Sequence, residues 1–216
     1  MLPLPPAFVV TADTVRLRQF REAWRAVGLP ADAVAEWRAC MIPGDGRLGN
    51  AVSQYSLVRH ALAAGLPDVL VFEDDAVPCD TAADDLSREI AEATARGDAA
   101  IRLGWIPFAD GSPRDGKEVL GSHAYALLSP DAMRDFCEAW AHQGKADVVF
   151  SYMAGRVSCS SKNLFLQHVP AGTETRAIHT PRGWVADWHR RKLCAEYEAA
   201  YTKARAICDK PKEVTS

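Results

Sequence analysis

The chain has 216 residues, 48% of them hydrophobic, and a formal net charge of -3 at pH 7. This length and composition fit one medium-sized domain with a substantial core. The charge excludes the overall basic field that would draw the chain onto nucleic acid. No run of about 18 apolar residues is present, so we expect no transmembrane helix.

The six cysteines form neither a CxxC pair nor a zinc-ligand pattern. We therefore expect free thiols in a reducing compartment rather than a disulfide framework. The first ten residues lack the basic region and the long apolar core of a secretory signal. Both observations predict a cytoplasmic protein.

The first half of the chain predicts two strands with two helices between them. Residues 7–10 are apolar and strand-like, and a helix with Phe20 and Trp24 at helical spacing follows. A second helix is predicted to begin near Gly49, after a loop rich in glycine, proline and aspartate. Residues 69–72, VLVF, are all apolar, which is typical of a strand covered on both faces in a parallel sheet.

Three acids, Glu73, Asp74 and Asp75, follow this strand directly. Alternate side chains of an extended chain point the same way, so we expect Glu73 and Asp75 to share one side and Asp74 to face the other. Two carboxylates held close are unfavourable unless a cation lies between them. Mg²⁺ and Mn²⁺ prefer oxygen ligands and often join carboxylates to substrate phosphates. The acids therefore suit a metal that bridges the protein to a diphosphate, and an acidic surface loop is the alternative.

Strands and helices also alternate in the second half of the chain. The predicted elements are helix 82–95, strand 99–105, strand 122–129, a helix capped by Ser129, strand 163–169 and a helical tail from about Trp184. This alternation indicates an α/β fold with a mainly parallel sheet. Ligands in such folds bind beyond the carboxyl ends of the strands, which is where the three acids lie.

The block GNAVSQYSLVRHALAAGLPDVLVFEDDAVPC resembles the core signature of glycosyltransferase family 25, which comprises bacterial lipooligosaccharide galactosyltransferases and relatives among the collagen-modifying enzymes. The signature positions that match are Gly49, Ser53, Gly65 and the acids 73–75. The family usually has histidine where this chain has Gln54, and many members have cysteine in place of Asn50.

Weaker matches flank this block, and together they cover about residues 7–170. The segment FVVTADTVRLRQF is similar to the opening strand and loop of the family and contains Arg18, although Thr14 replaces a first arginine. Downstream, GSHAYALLSPDAM matches at Tyr125, and KADVVF matches at Asp147.

The resemblance implies a GT-A-like, Rossmann-type domain over residues 1–180, with a helical C-terminal tail over 181–216. It also implies a metal-dependent, inverting hexosyltransferase that uses Mn²⁺ or Mg²⁺. Such an enzyme moves a sugar, most commonly galactose in this family, from a UDP-sugar to a hydroxyl of a bacterial surface glycan such as lipooligosaccharide.

For the chemistry, the resemblance implies that Asp75 binds the metal, with Asp74 and a late histidine, His179, as further ligands. A base must deprotonate the acceptor hydroxyl, and Asp147 is the candidate, with a helix N-cap as its structural alternative. The other bases that remain open are Asp110, Asp115 and Asp187. The other histidines that remain open as ligands are His123 and His168.

For the donor, the resemblance implies contacts from Glu73 or Asp74, and from Arg18, Ser53 and Tyr125. Each of the last three has a structural alternative. Arg18 suits an exposed helix position, Ser53 suits packing of a helix surface, and the Tyr125 ring suits the core.

Two further functions stay open on the sequence. One is a nucleotide-sugar binding module of the same fold without catalysis, which the departures at Thr14 and Gln54 allow. The other is a phosphoryl enzyme on a similar sheet, although no Walker-type phosphate loop is present. The basic, aromatic tail favours a helix docked on the domain over a peripheral contact with the inner membrane.

Overall fold

The computed structural model describes residues 4–42, 45–106, 120–143 and 146–167. The strands are β1 (Ala7–Thr11), β2 (Val34–Arg38), β3 (Val69–Glu73), β4 (Ala76–Pro78), β5 (Ala100–Ile106), β6 (Leu120–Leu127), β7 (Val157–Cys159) and β8 (Phe165–Gln167). The helices are α1 (Thr14–Ala26), α2 (Gly46–Ala63), α3 (Ala82–Ala95), α4 (Pro130–Gln143) and α5 (Ala146–Tyr152), and a 3₁₀ turn covers Ala31–Ala33.

Six strands form one sheet in the order β2-β1-β3-β6-β5-β7. β1 is parallel to β2 and β3, β7 is parallel to β5, and only β6 runs antiparallel to its neighbours β3 and β5. β4 and β8 form a separate two-stranded antiparallel sheet. The predicted α/β class, a Rossmann-type and mainly parallel sheet flanked by helices, is confirmed.

Helices cover both faces of the large sheet, and β3 shows why the VLVF run is apolar throughout. Val69 and Val71 belong to a core shared with α2, α4 and α5. Leu70 and Phe72 belong to a second core, formed with α1 and α3. The prediction that this strand is buried on both faces is therefore confirmed, because alternate side chains enter different cores.

Capping side chains set where the helices start. Ser129 accepts a hydrogen bond from the backbone N–H of Ala132 at 3.0 Å, as predicted for an N-cap. Asp45 accepts one from the N–H of Leu48 at 3.0 Å, so α2 begins at Gly46, before the predicted start near Gly49. An unpredicted cap, Asp13, starts α1.

The topology brings the ends of three strands, β1, β3 and β6, to one edge of the sheet. β1 and β3 are adjacent and parallel, so their carboxyl ends meet there. β6 runs the opposite way, and its first residues reach the same edge. This edge is where the sequence places the three acids.

In the described part of the chain, no helix combines the length and the apolar character needed to cross a membrane. Cys40, Cys79 and Cys137 are free thiols, as predicted. The last two cysteines, the domain boundary predicted at residue 180, and the tail 181–216 with its membrane contact lie outside the described residues.

Candidate functional site

The three acids stand at a turn that leads from the large sheet into the small one. β3 ends at Glu73, and the chain turns at Asp74 and Asp75 before β4 begins. Arg16 of α1 pairs with both aspartates: its Nη1 lies 3.3 Å from Asp74 Oδ1, and its Nη2 lies 3.5 Å from Asp75 Oδ2. The prediction that Glu73 and Asp75 share one side was wrong, because the extended geometry ends at Glu73.

Glu73 instead enters a network of uncharged donors. Its Oε1 accepts hydrogen bonds from Asn50 Nδ2 at 2.8 Å, Gln54 Nε2 at 2.7 Å and Ser122 Oγ at 3.1 Å. The Tyr125 hydroxyl donates to Gln54 Oε1 at 3.1 Å. Gln54 thus uses both ends of its amide, and the network fixes the last residue of β3 against α2 and β6.

This network also contains Asn50 and Gln54, the two residues at which the α2 segment differs from the family signature that it resembles. Asn50 and Gln54 both donate to the same oxygen of Glu73. They lie one helical turn apart on α2, so their side chains share the face that meets the sheet edge. The departures are therefore structural parts of this site.

The signature pair Gly49 and Ser53 joins α2 to the segment after β2. A Cβ at Gly49 would lie 2.5 Å from the Cys40 carbonyl oxygen, so only glycine allows this approach. The Ser53 hydroxyl accepts from the Cys40 N–H at 2.7 Å and donates to the Gly49 carbonyl at 2.6 Å. Ser53 is buried and serves helix docking, while its predicted donor contact stays a prediction.

Tyr125 lies in the core. Its ring is buried and contacts the rings of Phe136 and Phe150, with centroids 5.8 and 4.9 Å away. Burial raises the pKa of Tyr125 well above its ordinary value, and the charge of Glu73 adds to the effect. The hydroxyl therefore stays protonated and donates to Gln54.

Asp74 and Asp75 are held by polar groups from three directions. Thr11 Oγ1, at the end of β1, donates to Asp74 Oδ2 at 2.8 Å. Gln167 Nε2, at the end of β8, donates to Asp75 Oδ2 at 3.4 Å. Together with Arg16, these groups leave the other oxygen of Asp75, Oδ1, buried and without a hydrogen-bond partner among the described residues.

Burial raises the pKa of both aspartates above the ordinary 3.8. For Asp74, the hydrogen bond from Thr11 and the charge of Arg16 oppose this increase without cancelling it. For Asp75, the charges of Arg16 and His123 oppose it in the same way. At this turn, the neighbouring positive charges and hydrogen-bond donors therefore do not fully offset the cost of burying two ionised carboxylates.

These features fit a divalent metal. Two carboxylates at the sheet edge, one with an orphaned buried oxygen, are the oxygen donors that Mg²⁺ and Mn²⁺ take. No cluster of three or more His, Cys, Asp or Glu suited to a metal occurs within the described ranges. Asp74 and Asp75 would therefore leave the remaining positions to water, substrate or His179, which lies outside those ranges.

Arg16 is the residue that the sequence interpretation missed. The predicted Arg18 is exposed, and its Nε lies 3.9 Å from Glu22 of the same helix. Residues two apart on a helix are separated by about 200°, so only one of the two arginines faces the turn. Asp13 caps α1 immediately after β1, which is the signal that places the first helical turn over the sheet edge.

The structure says less about two further candidate site residues, His123 and Asp147. His123 is buried, with Nε2 2.9 Å from the Phe165 carbonyl oxygen. Asp147 is the second residue of α5, and its side chain lies outside the described part of the structure. The roles of Asp147 and His179 stay predictions, as do those of Asp110, Asp115, His168 and Asp187, which are also outside it.

No protein-family model and no curated protein sequence matches the chain significantly. Mannose-1-phosphate geranyltransferase from Thermus thermophilus has 14% identity, covering 77% of this chain and 75% of its own, with a TM-score of 0.42. A glycosyltransferase involved in the glycosylation of the major capsid of PBCV-1 has 11% identity, covering 90% and 100%, with a TM-score of 0.48.

A third solved structure, 2-C-methyl-D-erythritol 4-phosphate cytidylyltransferase from Thermus thermophilus, has 14% identity, covering 92% of this chain and 100% of its own, with a TM-score of 0.41. At these identities and TM-scores, the similarities carry no argument about function. Membership of glycosyltransferase family 25 stays a prediction from the motif.

Proposed function

We propose that the chain is a metal-dependent glycosyltransferase that uses a nucleotide-sugar donor. One observation carries the proposal: the buried, unpartnered Oδ1 of Asp75, beside Asp74, at the carboxyl edge of a mainly parallel sheet. Ligands of such sheets bind at this edge. A buried carboxylate oxygen without a donor is costly unless a ligand completes it.

In this proposal, Asp74 and Asp75 would hold Mn²⁺ or Mg²⁺, and the metal would supply positive charge for the leaving diphosphate. Thr11 and Gln167 orient the two carboxylates. The network around Glu73 fixes the start of the turn that carries them, so Glu73 positions the site.

The transfer itself requires a base. The base removes the proton of the acceptor hydroxyl, whose oxygen forms a bond to the anomeric carbon. The bond from that carbon to the diphosphate breaks, and the nucleoside diphosphate leaves with the electron pair. Asp147 is the proposed base, and in-line attack inverts the anomeric centre.

The finer identity of the substrates rests on the resemblance to family 25. It supports a UDP-sugar, with galactose as the sugar, and a hydroxyl of a bacterial surface glycan such as lipooligosaccharide as the acceptor.

A second candidate is a nucleotide-sugar binding module without catalysis. The pairing of Arg16 with both aspartates favours it, because a guanidinium at this place balances part of the acids' charge without a metal. Such a protein would hold a diphosphate through arginine and would not activate it for departure.

A donor panel tests the proposal. The protein is incubated with a series of UDP-sugars and Mn²⁺, with and without glycan acceptors, and release of nucleoside diphosphate is measured. We expect slow hydrolysis of one donor, which EDTA abolishes and an acceptor accelerates. Binding of a nucleotide sugar without release, even with acceptors and in the presence of EDTA, would establish the binding module. No binding of any nucleotide sugar would reject both candidates.

A further inference from the structure

We propose that Arg16 is a displaceable cation that occupies the metal site until a nucleotide-sugar arrives. Its guanidinium balances part of the charge of Asp74 and Asp75 in the unliganded protein. When a divalent cation binds with the donor, the guanidinium moves to the diphosphate. The inference rests on the proposed function, since it takes these aspartates as the metal ligands.

The two partners differ in how firmly they are held. Asp74 and Asp75 have side chains only 9% and 15% exposed, and Thr11 Oγ1 donates a short 2.8 Å hydrogen bond to Asp74. The Arg16 side chain is 40% exposed and reaches the acids at 3.3 and 3.5 Å. Strong charge-assisted hydrogen bonds between nitrogen and oxygen measure about 2.7–2.9 Å, so this bridge is loose. The carboxylates are fixed, and the arginine is the exchangeable member.

The backbone of α1 need not move for this exchange. Asp13 caps the helix by accepting from the Val15 N–H at 2.7 Å, and Leu17 is buried in the core. These two residues flank Arg16 and anchor the helical turn that carries it. Its long side chain can therefore leave the aspartates by rotation about its own bonds alone.

A metal and the guanidinium compete for the same pair of carboxylates. Arg16 faces Asp74 Oδ1 and Asp75 Oδ2, and Thr11 already donates to Asp74 Oδ2, so a cation that joins the orphaned Asp75 Oδ1 to Asp74 either displaces the guanidinium or lies directly beside it. Two positive charges at this distance repel each other. Guanidinium groups form bidentate hydrogen bonds with phosphate oxygens, so the released Arg16 can bind the diphosphate.

Arg16 should therefore have opposite effects on two ligands. It opposes binding of the metal alone, and it favours binding of metal and nucleoside diphosphate together. This coupling would keep the site from taking up a cation before the donor is present.

The experiment measures Mn²⁺ binding by the paramagnetic resonance signal of free Mn²⁺, and UDP binding in the presence of Mn²⁺ by calorimetry. We expect Arg16→Ala to tighten binding of Mn²⁺ alone by about twofold to fivefold, the effect of one partly exposed ion pair. We expect the same variant to weaken Mn²⁺-dependent UDP binding by about tenfold, through loss of a charge-assisted contact. Arg16→Gln, which keeps a polar side chain without the charge, should reproduce both signs if the alanine variant is poorly folded.

Arg25→Ala is the matched control, because Arg25 lies on the same helix and pairs with the exposed Asp32. It should leave both affinities unchanged. If Asp75→Ala binds Mn²⁺ as tightly as the unaltered protein, the metal site itself is wrong. If Asp75→Ala loses Mn²⁺ but the Arg16 variants weaken both ligands or neither, the exchange is overturned and the metal site stands.

Discussion

Two clusters of acids in this molecule have opposite electrostatic surroundings. In α3, Asp85 pairs with Arg88 at 2.5 Å and with Lys162 at 3.2 Å. The hydrogen bond from Arg88, followed by those from Thr81 and Lys162, lowers the pKa of Asp85 to about 2. At the turn after β3, burial raises the pKa of both Asp74 and Asp75 despite the nearby Arg16.

The difference separates acids that stabilise the fold from the acids that we propose as metal ligands. Asp85 lies in the first turn of α3, where the helix dipole also favours a negative charge. Its neighbour Glu89 is buried and accepts from the Ser161 N–H at 3.0 Å, which ties α3 to the segment before β8. Perturbed carboxylates that lack such compensation concentrate at functional sites. The turn after β3 therefore stands out on physical grounds alone.

The largest expected effect is the loss of nucleotide-sugar affinity when Asp75 is replaced. Asp75→Ala should weaken Mn²⁺-dependent UDP-sugar binding by more than the about 10- to 100-fold typical of residues that only support metal ligands. Calorimetric titration measures the affinity. Asp85→Asn, which changes an acid of the stabilising cluster, should leave it unchanged. Equal losses in both variants would abolish the distinction between the clusters.

The next prediction concerns Gln54. It tests whether Glu73, like Asp85, is an acid whose hydrogen bonds stabilise the fold. Gln54→Ala leaves Glu73 short of one donor and the buried Tyr125 hydroxyl without its acceptor, so we expect a loss of about 1–3 kcal/mol in the free energy of unfolding. Urea denaturation measures it. Gln54→Glu keeps the shape but sets a second carboxyl beside Glu73, so its stability should fall further as pH rises. A stability loss that does not vary with pH would contradict this arrangement.

A third prediction compares how the same substitution in each cluster changes the free energy of unfolding. Asp75→Asn removes a buried charge, and we expect it to raise the free energy of unfolding at pH 7 by about 0.5–2 kcal/mol, the gain seen when a functional constraint is released. Asp85→Asn should lower it. Changes of the same sign in both variants would remove the contrast between the clusters.

The pH dependence has a matching sign. The folded protein keeps protons on Asp74 and Asp75 above the ordinary pKa of 3.8, so their contribution to stability declines as pH rises above about 4. The pKa of Asp85 is lowered to about 2. Its contribution is therefore present above pH 4 and is lost as pH falls from about 4 to about 2. Denaturation curves measured above and below pH 4 test both signs. Asp75→Asn should show a smaller decline in stability above pH 4, because Asp74 remains, and Asp85→Asn should lack the loss between pH 4 and pH 2.

Tyr125→Phe should have the weakest effect of these variants. It loses one hydrogen bond to Gln54 but keeps the ring contacts with Phe136 and Phe150, so we expect a loss of about 0.5–1.5 kcal/mol in stability. Thermal and urea unfolding measure it. The affinity for the nucleotide-sugar donor is measured as well. If its loss, expressed as a free energy, exceeds the loss in the free energy of unfolding, the direct contact with the nucleotide sugar that the family resemblance implies would be supported instead.

Much of the fold was predictable, because it depends on local patterns. The VLVF run predicted a strand buried on both faces, and Ser129 predicted the start of α4. The sequence interpretation missed β2, β4 and β7, which are strands of only three to five residues. Such short strands carry little apolar periodicity of their own and form because neighbouring strands offer them hydrogen bonds. The antiparallel direction of β6 likewise depends on its partners.

The candidate site was predictable only in its position. The three acids follow a buried strand, and this spacing alone located them at the carboxyl edge of the sheet. Which arginine meets them was not predictable, because Arg16 and Arg18 differ only by their rotation around α1. The network of Asn50, Gln54 and Glu73 was also hidden, since it joins residues more than fifteen positions apart.

Local sequence patterns are sufficient for the α/β class, the main helices and the turn that carries Glu73, Asp74 and Asp75. These features follow from apolar periodicity, capping residues and a short motif, all of which act over a few neighbouring residues. The folded chain was needed to show that Glu73 is satisfied by neutral donors while Asp74 and Asp75 share Arg16. Side-chain charge is balanced in space, and the groups from β1, α1 and β8 that balance it here come together only when the sheet forms.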